Sequence, residues 1–377
     1  MEPACVLTLN GGSSSLKAAL FDASEPPRKL VGIAVERIGQ LGEAADHAAA
    51  LERVVAALEP FGGLAAVQAV GHRIVHGGEL DGPRRLDAGL LAELGRLAAL
   101  DPNHLPAEIA LVRAVMDRAP QVPQVACFDT AFHRTMPRVA RLFAIPHAFE
   151  ERGVRRYGFH GLSYAYLAGA LAREIGDEGA RGRVILAHLG SGASLCAMRE
   201  GCSVETTMGF TPTGGVPMGT RSGDLDPGVL VHILRTERMN VDALDDLVNR
   251  RAGLAGLSGG SPDMRDLLAR EATDPRAADA VAVFCHGVKK AIGALAAVLG
   301  GVDALVFSAG IGERSSVVRA RILQGMEHLG MHLDADANDR HTSVISTKAS
   351  PCTVLVLRTD EESMIVHETR LTLRGTP

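Results

Sequence analysis

The chain has 377 residues, of which 46% are apolar, 22% are charged and 42 are glycine. This length exceeds what one hydrophobic core usually serves, so the sequence predicts two domains in a compact α/β protein with many tight turns. The net charge of -5, with 3% aromatic residues and no tryptophan, excludes the basic, ring-rich surface by which proteins bind nucleic acid. The negative net charge does not exclude a small anionic ligand, because binding one needs only a few well-placed hydrogen-bond donors.

Nothing near the start of the chain resembles an export signal, since "MEP" is acidic and no cleavage pattern follows it. The longest apolar tract, 291–312, is interrupted by Gly300, Gly301 and Asp303, which favours a helix running into a strand over a membrane span. We therefore expect no membrane partner. The cysteines form no C-x-x-C pair and mostly fall inside apolar runs, so we expect reduced core thiols in a cytoplasmic protein. They are Cys5, Cys127, Cys196, Cys202, Cys285 and Cys352.

Helical and strand patterns alternate along the chain, which predicts layered α/β structure. Helices are predicted where apolar residues recur at helical spacing, over 44–58, 106–118 and 278–299. Strands are predicted at the apolar runs "CVLTL", "AAVQAV", "VPQVACF", "RVILAHL", "DALVFSA" and "TVLVLRT". Polar or glycine-rich stretches follow these runs, and the ends of strands are where open α/β sheets bind ligands.

One segment of the chain is echoed by another. The sequence "CVLTLNGGSSSLKAALFD" returns half a chain later as "VILAHLGSGASLCAMRE", again a strand, a Gly/Ser turn and a strand beginning "SL". Glycine and serine dominate turns for reasons unrelated to ligands, so one such hairpin is weak by itself. Two in matching places predict a duplicated domain whose hairpins face each other across a cleft.

The first of these hairpins has two interpretations. Asn10, Ser13–Ser15 and Lys17 offer amide, hydroxyl and ammonium donors around the backbone amides of Gly11 and Gly12. Such donors can form hydrogen bonds to the oxygens of a phosphate group. A plain turn explains the same residues.

Three polar residues near predicted strands also have both a structural and a functional interpretation. Arg73 lies among apolar neighbours in "GHRIVHGG" and requires an anionic partner, either a protein carboxylate or a substrate. Asp129 directly follows a strand and fits a metal or acceptor contact or the N-cap of the next helix. His160, flanked by Gly158 and Gly161, fits a structural or a catalytic histidine.

The long loop "GFTPTGGVPMGTRSGDLDPGVL" encloses Arg221 between small residues before a helix opens at Asp226 and Pro227. A structureless stretch of this length inside a compact protein is usually functional, so we predict a functional Arg221. Three shorter segments, "SPDMRD", "SAGIGERS" and "LRTDEESMI", each fit a helix cap or a surface charge when taken singly.

Ordered motifs cover nearly the whole chain: "NGGSSSLK", "GHRIVHGG", "FDTAFHRTMP", "RRYGFHG", "HLGSGAS", "MGFTP", "MGTRSGDLDPG", "SPDMRD", "GGVDALVFSAGIGER" and "TDEESMI". In this order they closely resemble the acetate kinase family, the short-chain acyl kinases. The resemblance implies an α/β fold of two duplicated domains with ribonuclease H-like cores, as in the sugar kinase, hexokinase and actin superfamily, closing on an interdomain cleft. We place the acyl and metal side at 1–131 with 360–377 and the nucleotide-binding domain at 132–359.

The resemblance further implies a reversible, in-line transfer of phosphate from ATP to a short carboxylate, giving ADP and an acyl phosphate, with Mg2+ or Mn2+. A homodimer is implied as well. Acetate, propionate or a more polar short acid is expected as acceptor, because Asn103 stands where the family usually has an apolar residue. Ser191 and Arg314 stand where the family commonly has asparagine, so the preferred phosphate donor needs measurement.

Residue roles carry over only at matching motif positions. The expected catalytic residues are Asp129, the active-site acid, with His160 and Arg221 beside the phosphoryl group, and the expected metal ligands are Asn10 and Glu361. The residues expected to bind the acid are Arg73, Val75, Asn103, His104, Phe159 and Pro212. The residues expected to bind the nucleotide are Lys17, His188, Leu189, Gly190, Ser191, Gly192, Asp263, Met264, Arg265, Gly310, Ile311, Gly312, Glu313 and Arg314.

Two other functions share this fold class. A kinase for a hydroxyl acceptor would need a general base, which Asp129 could supply, but not two arginines at the acceptor. An actin-like or chaperone-like ATPase would need a partner-binding domain or a polymerising surface, and only a short tail follows Glu361.

Overall fold

The computed structural model describes residues 5–12, 15–36, 38–39, 44–98 and 100–375. Ser13 and Ser14, expected donors of the first hairpin, lie outside the described residues. Contacts divide the chain into unit 1, comprising Met1–Arg134, His160–Tyr166 and Asp360–Pro377, and unit 2, comprising Thr135–Phe159 and Leu167–Thr359. The boundaries drawn from the sequence differ mainly at His160–Tyr166, which they assign to the other domain. As domain boundaries they stay a prediction.

The strands follow the sequence pattern closely, and every predicted run overlaps one of them. In unit 1 they are β1 (Cys5–Gly11), β2 (Ser15–Phe21), β3 (Lys29–Glu36), β4 (Val67–Ile74), β5 (Arg84–Arg85) and β6 (Gln124–Phe128). In unit 2 they are β7 (Val184–Leu189), β8 (Ala193–Arg199), β9 (Cys202–Thr206), β10 (Ala304–Ser308) and β11 (Thr353–Val356).

The α-helices lie between the strands and after the last of them. In chain order they are α1 (His47–Leu58), α2 (Ala88–Leu97), α3 (Leu105–Arg118), α4 (Arg138–Arg141), α5 (His147–Glu150), α6 (Gly161–Arg181), α7 (Pro227–Thr236), α8 (Val241–Asp246), α9 (Gly253–Ser258), α10 (Met264–Arg270), α11 (Pro275–Leu299), α12 (Ala309–Arg314), α13 (Ser316–Leu323), α14 (Ala335–Asp339) and α15 (Glu361–Arg374).

The three predicted helices are confirmed, and N-cap side chains set the starts of two of them. The helix predicted over 44–58 begins only at His47, because the Asp46 carboxylate accepts the amide of Ala49 at 2.8 Å and closes the first turn. The helix predicted over 278–299 begins earlier, at Pro275, behind the N-cap Asp274. Helix α3 agrees with the predicted 106–118 to within one residue at its start.

The sheet of unit 1 has the strand order β3-β2-β1-β4-β6-β5. Strand β2 runs antiparallel to both β1 and β3, whereas β4 runs parallel to β1 and β6 parallel to β4. Parallel strands need long connections, and helices supply them: α1 precedes β4, and α2 and α3 precede β6.

The sheet of unit 2 repeats this plan with the order β11-β10-β7-β8-β9. Strands β7, β8 and β9 form an antiparallel meander, and β10 and β11 add in parallel on the other side of β7. With the strands counted within each unit, both sheets have the order 3-2-1-4-5, apart from the two-residue strand β5. This shared order confirms the duplicated α/β fold expected from the repeated hairpins.

Apolar residues pack on both faces of the unit 1 sheet. Leu9 of β1 belongs to a cluster with Leu51 of α1 and Val115 of α3. A separate cluster joins Val125 of β6 to Ile365 of α15. Because both faces are covered, the parallel strands are mostly apolar, and the buried polar residues inside them are hydrogen-bonded, as His72 is to Gln124.

Helix α11 is long and apolar enough to cross a membrane by length and composition. In unit 2 it packs against α9, α10, α13 and β8, and it buries residues that include Phe284, Val288 and Ile292. A core helix passes the same test of length and composition, so this finding is weak grounds for a membrane span.

All six cysteines are free thiols, and all except Cys202 are buried. Burial raises the pKa of Cys196 and of Cys352 to about 12, so both thiols stay protonated and unreactive at neutral pH. The expectation of core thiols is therefore confirmed except at Cys202.

Candidate active site

Polar residues form a row across three neighbouring strands of the unit 1 sheet. Asn10 of β1 pairs with Lys17 of β2 on one side and with Arg73 of β4 on the other. Residues directly opposite on neighbouring strands point to the same face of a sheet. Three side chains that the sequence assigned to metal, phosphate and carboxylate therefore share one face of unit 1.

Arg73 is the centre of a charged cluster. Its Nη2 donates to Asp129 Oδ2 at 2.5 Å, its Nε donates to Asp129 Oδ1 at 3.2 Å, and its Nη1 donates to Asn10 Oδ1 at 3.0 Å. The Glu361 carboxylate, at the start of α15, lies 3.9 Å from Nε. Burial opposes the positive charge of Arg73, but Coulomb attraction to Asp129 and Glu361 raises its pKa, so the guanidinium stays charged. The protein carboxylate that the sequence left open as a partner is Asp129.

Asp129 and His160 are joined through the backbone. The carbonyl of Asp129, directly after β6, accepts the amide of Gly161 at 2.9 Å, where α6 begins. A Cβ on Gly161 would lie 2.2 Å from that carbonyl oxygen, so this close approach requires glycine. His160 itself has a φ of +62°, a region that non-glycine residues rarely adopt, and it is 9% exposed. Backbone strain of this kind is concentrated at functional sites.

The acid-binding residues expected in unit 1 lie at the ends of elements. Val75 is buried and directly follows β4. His104 is the N-cap residue of α3, and its Nδ1 lies 2.8 Å from Oδ1 of the buried Asp101. Asn103, the departure from the family pattern, is half-buried just before it. Strand ends and helix starts leave backbone groups and side chains accessible to a ligand.

Within the described part of the chain, no group of three or more His, Cys, Asp and Glu side chains is arranged to hold a metal ion. Asn10 and Glu361 offer one amide oxygen and one carboxylate on either side of Arg73. Mg2+ takes few protein oxygens and completes its shell with water and phosphate. The chemistry of these two side chains fits that ion.

In unit 2, two of the three segments expected to bind nucleotide lie at the carboxyl ends of parallel strands. Strands β7 and β10 are in register up to His188 and Ser308, and the "GSG" turn and α12 follow them. A Cβ on Gly190 would lie 3.9 Å from the backbone nitrogen of Gly310, so the two glycine-rich motifs are neighbours. Backbone amides are what this edge offers to a phosphate.

Arg221 is presented by a loop that backbone hydrogen bonds hold in place. The amide of Gly219 donates to the carbonyl of Ser191 at 2.9 Å, and the amide of Met218 donates to the carbonyl of Arg221 at 3.1 Å. The Arg221 Nη1 donates to the carbonyl of Pro212 at 3.2 Å. The structure thus brings together three expected site residues from different motifs: Ser191, Pro212 and Arg221.

Two expected nucleotide contacts also have structural partners. Asp263 is the N-cap of α10, and its carboxylate accepts the backbone amide of Arg265 at 2.9 Å and the Nη2 of the same residue at 2.6 Å. Glu313 accepts the amide of Ala309 at 2.9 Å and that of Thr359 at 3.3 Å. The helix-cap interpretation, open from the sequence, therefore holds for Asp263, and Glu313 ties the start of α12 to the segment after β11.

The expected site residues divide between the two units. Unit 1 contains Asn10, Lys17, Arg73, Val75, Asn103, His104, Asp129, His160 and Glu361. Unit 2 contains Phe159, His188, Leu189, Gly190, Ser191, Gly192, Pro212, Arg221, Asp263, Met264, Arg265, Gly310, Ile311, Gly312, Glu313 and Arg314. Lys17 is set apart from the other expected nucleotide contacts, because it lies in unit 1 beside Asn10.

The sequence did not single out two acids of unit 1, the buried Glu108 and the half-buried Glu368. Glu108 of α3 is 1% exposed, and burial raises its pKa well above the usual range. Burial likewise raises the pKa of Glu368 on α15 to about 7. Glu108 had a signal in the sequence, because a carboxylate at this position shares the helix face of the core residues Val112 and Val115. Charged residues are rarely buried in a core without a partner, so a glutamate on an apolar helix face indicates a specific role.

Comparison with known proteins decides the family. The model of the acetokinase family matches residues 5–367. The chain is 45% identical to the acetate kinase of Methylocella silvestris, with 97% of each chain covered. This chain belongs to the acetokinase family. It is a kinase whose phosphoryl acceptor is a carboxyl group.

Solved structures of acetokinases share the fold along the whole chain. The acetate kinase of Porphyromonas gingivalis has a TM-score of 0.89 and 35% identity, with 98% of this chain and 100% of that chain covered. A propionate kinase from Francisella tularensis has a TM-score of 0.92 and 34% identity, with 98% and 99% covered. The alternatives of a hydroxyl-acceptor kinase and an actin-like ATPase are set aside by this membership.

Proposed function

We propose that this acetokinase transfers the terminal phosphoryl group of ATP directly and reversibly to a short-chain carboxylate, in line and with Mg2+, giving ADP and an acyl phosphate. The observation that carries the proposal is Arg73, a permanently charged guanidinium fixed by Asp129 and Asn10 among apolar strands. Relatives named acetate kinase and propionate kinase support acetate and propionate as acceptors.

Arg73 would bind the carboxylate of the acid. A guanidinium has five N–H donors. The bonds to Asp129 and Asn10 leave one N–H on each of Nη1 and Nη2 for an incoming carboxylate. Asp129, expected from the sequence to be the active-site acid, would act through Arg73 by holding the plane of the guanidinium. The acceptor itself needs no general base, because a carboxylic acid is ionised at neutral pH.

His160 and Arg221 would neutralise charge on the phosphoryl group during transfer. Two anions must be aligned, and negative charge builds on the oxygens of the group that moves between them. Donors whose positions are fixed before the reaction stabilise such charge most effectively. The strained backbone of His160 and the hydrogen-bonded loop of Arg221 are fixed in this sense.

The metal and the nucleotide would be held by different kinds of group. Asn10 and Glu361 would hold Mg2+, which supplies charge neutralisation to the phosphates when it is bound. Lys17 would contact a phosphate from β2. The turn at His188–Gly192, the segment Asp263–Arg265 and the start of α12 would bind the nucleotide mainly through backbone amides, as glycine-rich loops do.

The identity of the acid depends on the acyl pocket. Val75, Phe159 and Pro212 are apolar and buried, which suits a methyl or ethyl group. Asn103 and His104 bring polar groups to the start of α3. Acetate, propionate and a more polar short acid are therefore the acceptors we propose.

Acyl-hydroxamate formation from ATP, acid and hydroxylamine tests this function. We expect hydroxamate with at least one of formate, acetate, propionate, butyrate, glycolate and lactate, and none when ATP or divalent metal is omitted. The reverse direction is checked by ATP formation from ADP and acetyl phosphate. Nucleotide turnover that ignores every one of these acids would refute the proposal, and glycerol and glucose serve as hydroxyl controls.

A cytoplasmic homodimer completes the proposal. The free thiols support a reducing compartment. Helix α7 buries none of its residues although it is apolar, and Val229, Val231, Val283 and Val298 are each 42–56% exposed. Around Val229, Val283 and Val298, unit 2 has an apolar cavity of about 750 Å³ between α7 and α11. A contiguous apolar patch of this kind marks a site of protein association, and we assign it to a second copy of the chain.

Light scattering on the purified protein tests the dimer. We expect a mass of two chains for the wild type and of one chain for Val229→Glu, which puts a charge into the apolar patch. Val139→Glu is the matched control, because Val139 is 83% exposed and does not line the cavity. A monomeric wild type would contradict the assignment.

A further inference from the structure

Glu108 is a charged residue type at a position that excludes water. It lies in the first turns of α3, on the helix face of Val112 and Val115, and it is 1% exposed. A carboxylate without a cation is costly to bury, so the group must be either paired or neutral. Its surroundings decide between these two states.

One carboxylate oxygen of Glu108 accepts a hydrogen bond from the backbone. Oε2 accepts the backbone amide of Val75 at 3.1 Å. Val75 directly follows Ile74, the last residue of β4, so its amide lies beyond the end of the strand. The neighbouring amides are also held by side chains, since Gly77 donates to Thr130 Oγ1 at 3.0 Å. A Cβ on Gly77 would lie 2.6 Å from the Phe128 ring, so this loop is packed directly on β6.

The charges that face Glu108 come from three elements. Arg73 on β4 favours the ionised form, whereas Asp101 before α3 and Asp129 after β6 oppose it. Arg73 directs its hydrogen bonds to Asp129 and Asn10, and none of them reaches Glu108. Burial is the largest effect and raises the pKa of Glu108 well above its usual range. The second oxygen, Oε1, is buried and has no hydrogen-bond partner among the described residues, as is also true of Oδ2 of Asp101.

We propose that Glu108 is a positioning residue of the acid site: as a neutral carboxylic acid it accepts the Val75 amide and fixes the backbone that directly follows Arg73. The proposal rests on the function proposed above, in which Arg73 binds the carboxylate of the acid and Val75 lines the acyl pocket. This hydrogen bond fixes the backbone of Val75 relative to the guanidinium, while the bond from Gly77 to Thr130 holds the loop further along.

The proton on Glu108 has a consequence for substrate binding. An ionised Glu108 would add a third carboxylate near Arg73, after Asp129 and Glu361, and would compete with the acid for the guanidinium. A neutral Glu108 leaves the charge of Arg73 to the acid. The KM for the acid should therefore rise at alkaline pH as Glu108 ionises, while the KM for ATP should not change.

Two substitutions separate the hydrogen bond from the charge. Glu108→Gln keeps a carbonyl acceptor for the Val75 amide and cannot ionise, so we expect kcat/KM for the acid within about threefold of the wild type and a KM that stays flat at alkaline pH. Glu108→Met keeps the length but removes the acceptor. For it we expect a KM for the acid raised about tenfold, with the KM for ATP unchanged. Asp117→Asn, an exposed carboxylate on the same helix, is the matched control and should leave every constant unchanged.

Hydrogen exchange of the Val75 amide, followed by NMR, gives a readout that does not depend on catalysis. We expect protection in the wild type and in Glu108→Gln, and exchange about tenfold faster in Glu108→Met. Equal protection in all three proteins would overturn the proposal, as would a Glu108→Gln enzyme that is as impaired as Glu108→Met. If Glu108→Met does not fold, the pH profile and the protection of Glu108→Gln decide alone. If no short acid is phosphorylated by the wild type, the function fails, and amide exchange still decides the role of Glu108.

Discussion

The two units share a strand order but present different chemistry at the ends of their strands. Unit 1 ends β1, β4 and β6 with polar and charged side chains, namely the amide of Asn10, the guanidinium of Arg73 and the carboxylate of Asp129. In unit 2, a glycine-rich turn follows β7 and the glycine-containing helix α12 directly follows β10, so that backbone amides are the donors there. A duplicated scaffold can therefore carry either a charged side-chain cluster or a backbone cradle at the same topological position.

The side-chain charges of unit 1 and the backbone amides of unit 2 also differ in how they affect stability. Charges in unit 1 must be paired, because removing one partner leaves a buried charge. Backbone amides in unit 2 carry no net charge, so presenting them leaves no buried charge unpaired. The free-energy cost there is backbone strain, as at Ala309 directly after β10, which has a φ of +63°. Substitutions in the charged cluster around Arg73 should consequently reduce both stability and activity, and those at Arg221 in unit 2 should reduce activity with little loss of stability.

Arg73→Ala should have the largest effect. It removes the main counter-charge of the buried Asp129, so we expect a loss of about 3–5 kcal/mol in the free energy of unfolding. Loss of the donor for the acid should also lower kcat/KM for the acid by about 1,000-fold. Urea denaturation and steady-state kinetics measure the two quantities.

The double variant Arg73→Ala/Asp129→Asn is the control for that interpretation. It removes the buried negative charge as well, so part of the lost stability should return while activity stays low. An unchanged stability in Arg73→Ala alone would contradict the contrast between the units.

Arg221→Ala should come second and should affect turnover without affecting stability. We expect kcat to fall about 100-fold or more, because a donor to the phosphoryl group is lost. The affinity for ATP should stay within about threefold, and the free energy of unfolding within about 0.5 kcal/mol, since the Arg221 side chain is only half-buried. Turnover equal to that of the wild type would remove Arg221 from the reaction.

Glu368→Gln should change how stability depends on pH. Burial raises the pKa of Glu368 to about 7, with Asp129 adding to the effect and a hydrogen bond from Cys127 opposing it. In the unfolded chain a glutamate loses its proton near pH 4.3. The folded state therefore binds more protons between about pH 4.5 and pH 7, and stability falls as pH rises through that window, by about 4 kcal/mol at most.

The variant cannot ionise, so we expect its stability relative to the wild type to increase from about pH 5 to about pH 8. Urea denaturation at intervals across this range measures the difference. Glu178→Gln is the control, because Glu178 is exposed. A difference that is constant with pH would show that Glu368 titrates normally.

Local features of the fold could be predicted from the sequence, whereas the partners of the site residues could not. Helix α11 and the two hairpins follow from apolar periodicity and from Gly/Ser turns, which are properties of neighbouring residues. The bond from Arg73 to Asp129 joins positions 56 residues apart, and the bond from Arg73 to Asn10 joins positions 63 residues apart. Only strand order and register bring these residues together, and periodicity does not encode register between distant strands.

The backbone conformation of His160 could not be predicted from the sequence, for a related reason. The glycines around His160 indicated a special site, but the left-handed φ of His160 follows from the contact between Gly161 and the carbonyl of Asp129, which is a tertiary contact. The burial of Glu108 escaped in the same way, although its place on an apolar helix face was visible in the sequence.

Asn103→Leu should have the smallest effect, a change in preference among acids rather than in overall rate. Asn103 is half-buried directly before His104 at the start of α3, where the motif resemblance led us to expect an apolar residue. One polar-to-apolar exchange in a small pocket changes discrimination by about tenfold, because a hydrogen-bonding group is lost and a hydrophobic one is gained. We therefore expect the ratio of kcat/KM for propionate to that for lactate to rise about tenfold in the variant. Competition between the two acids in one hydroxamate assay measures this ratio directly, and an unchanged ratio would place Asn103 outside the acyl pocket.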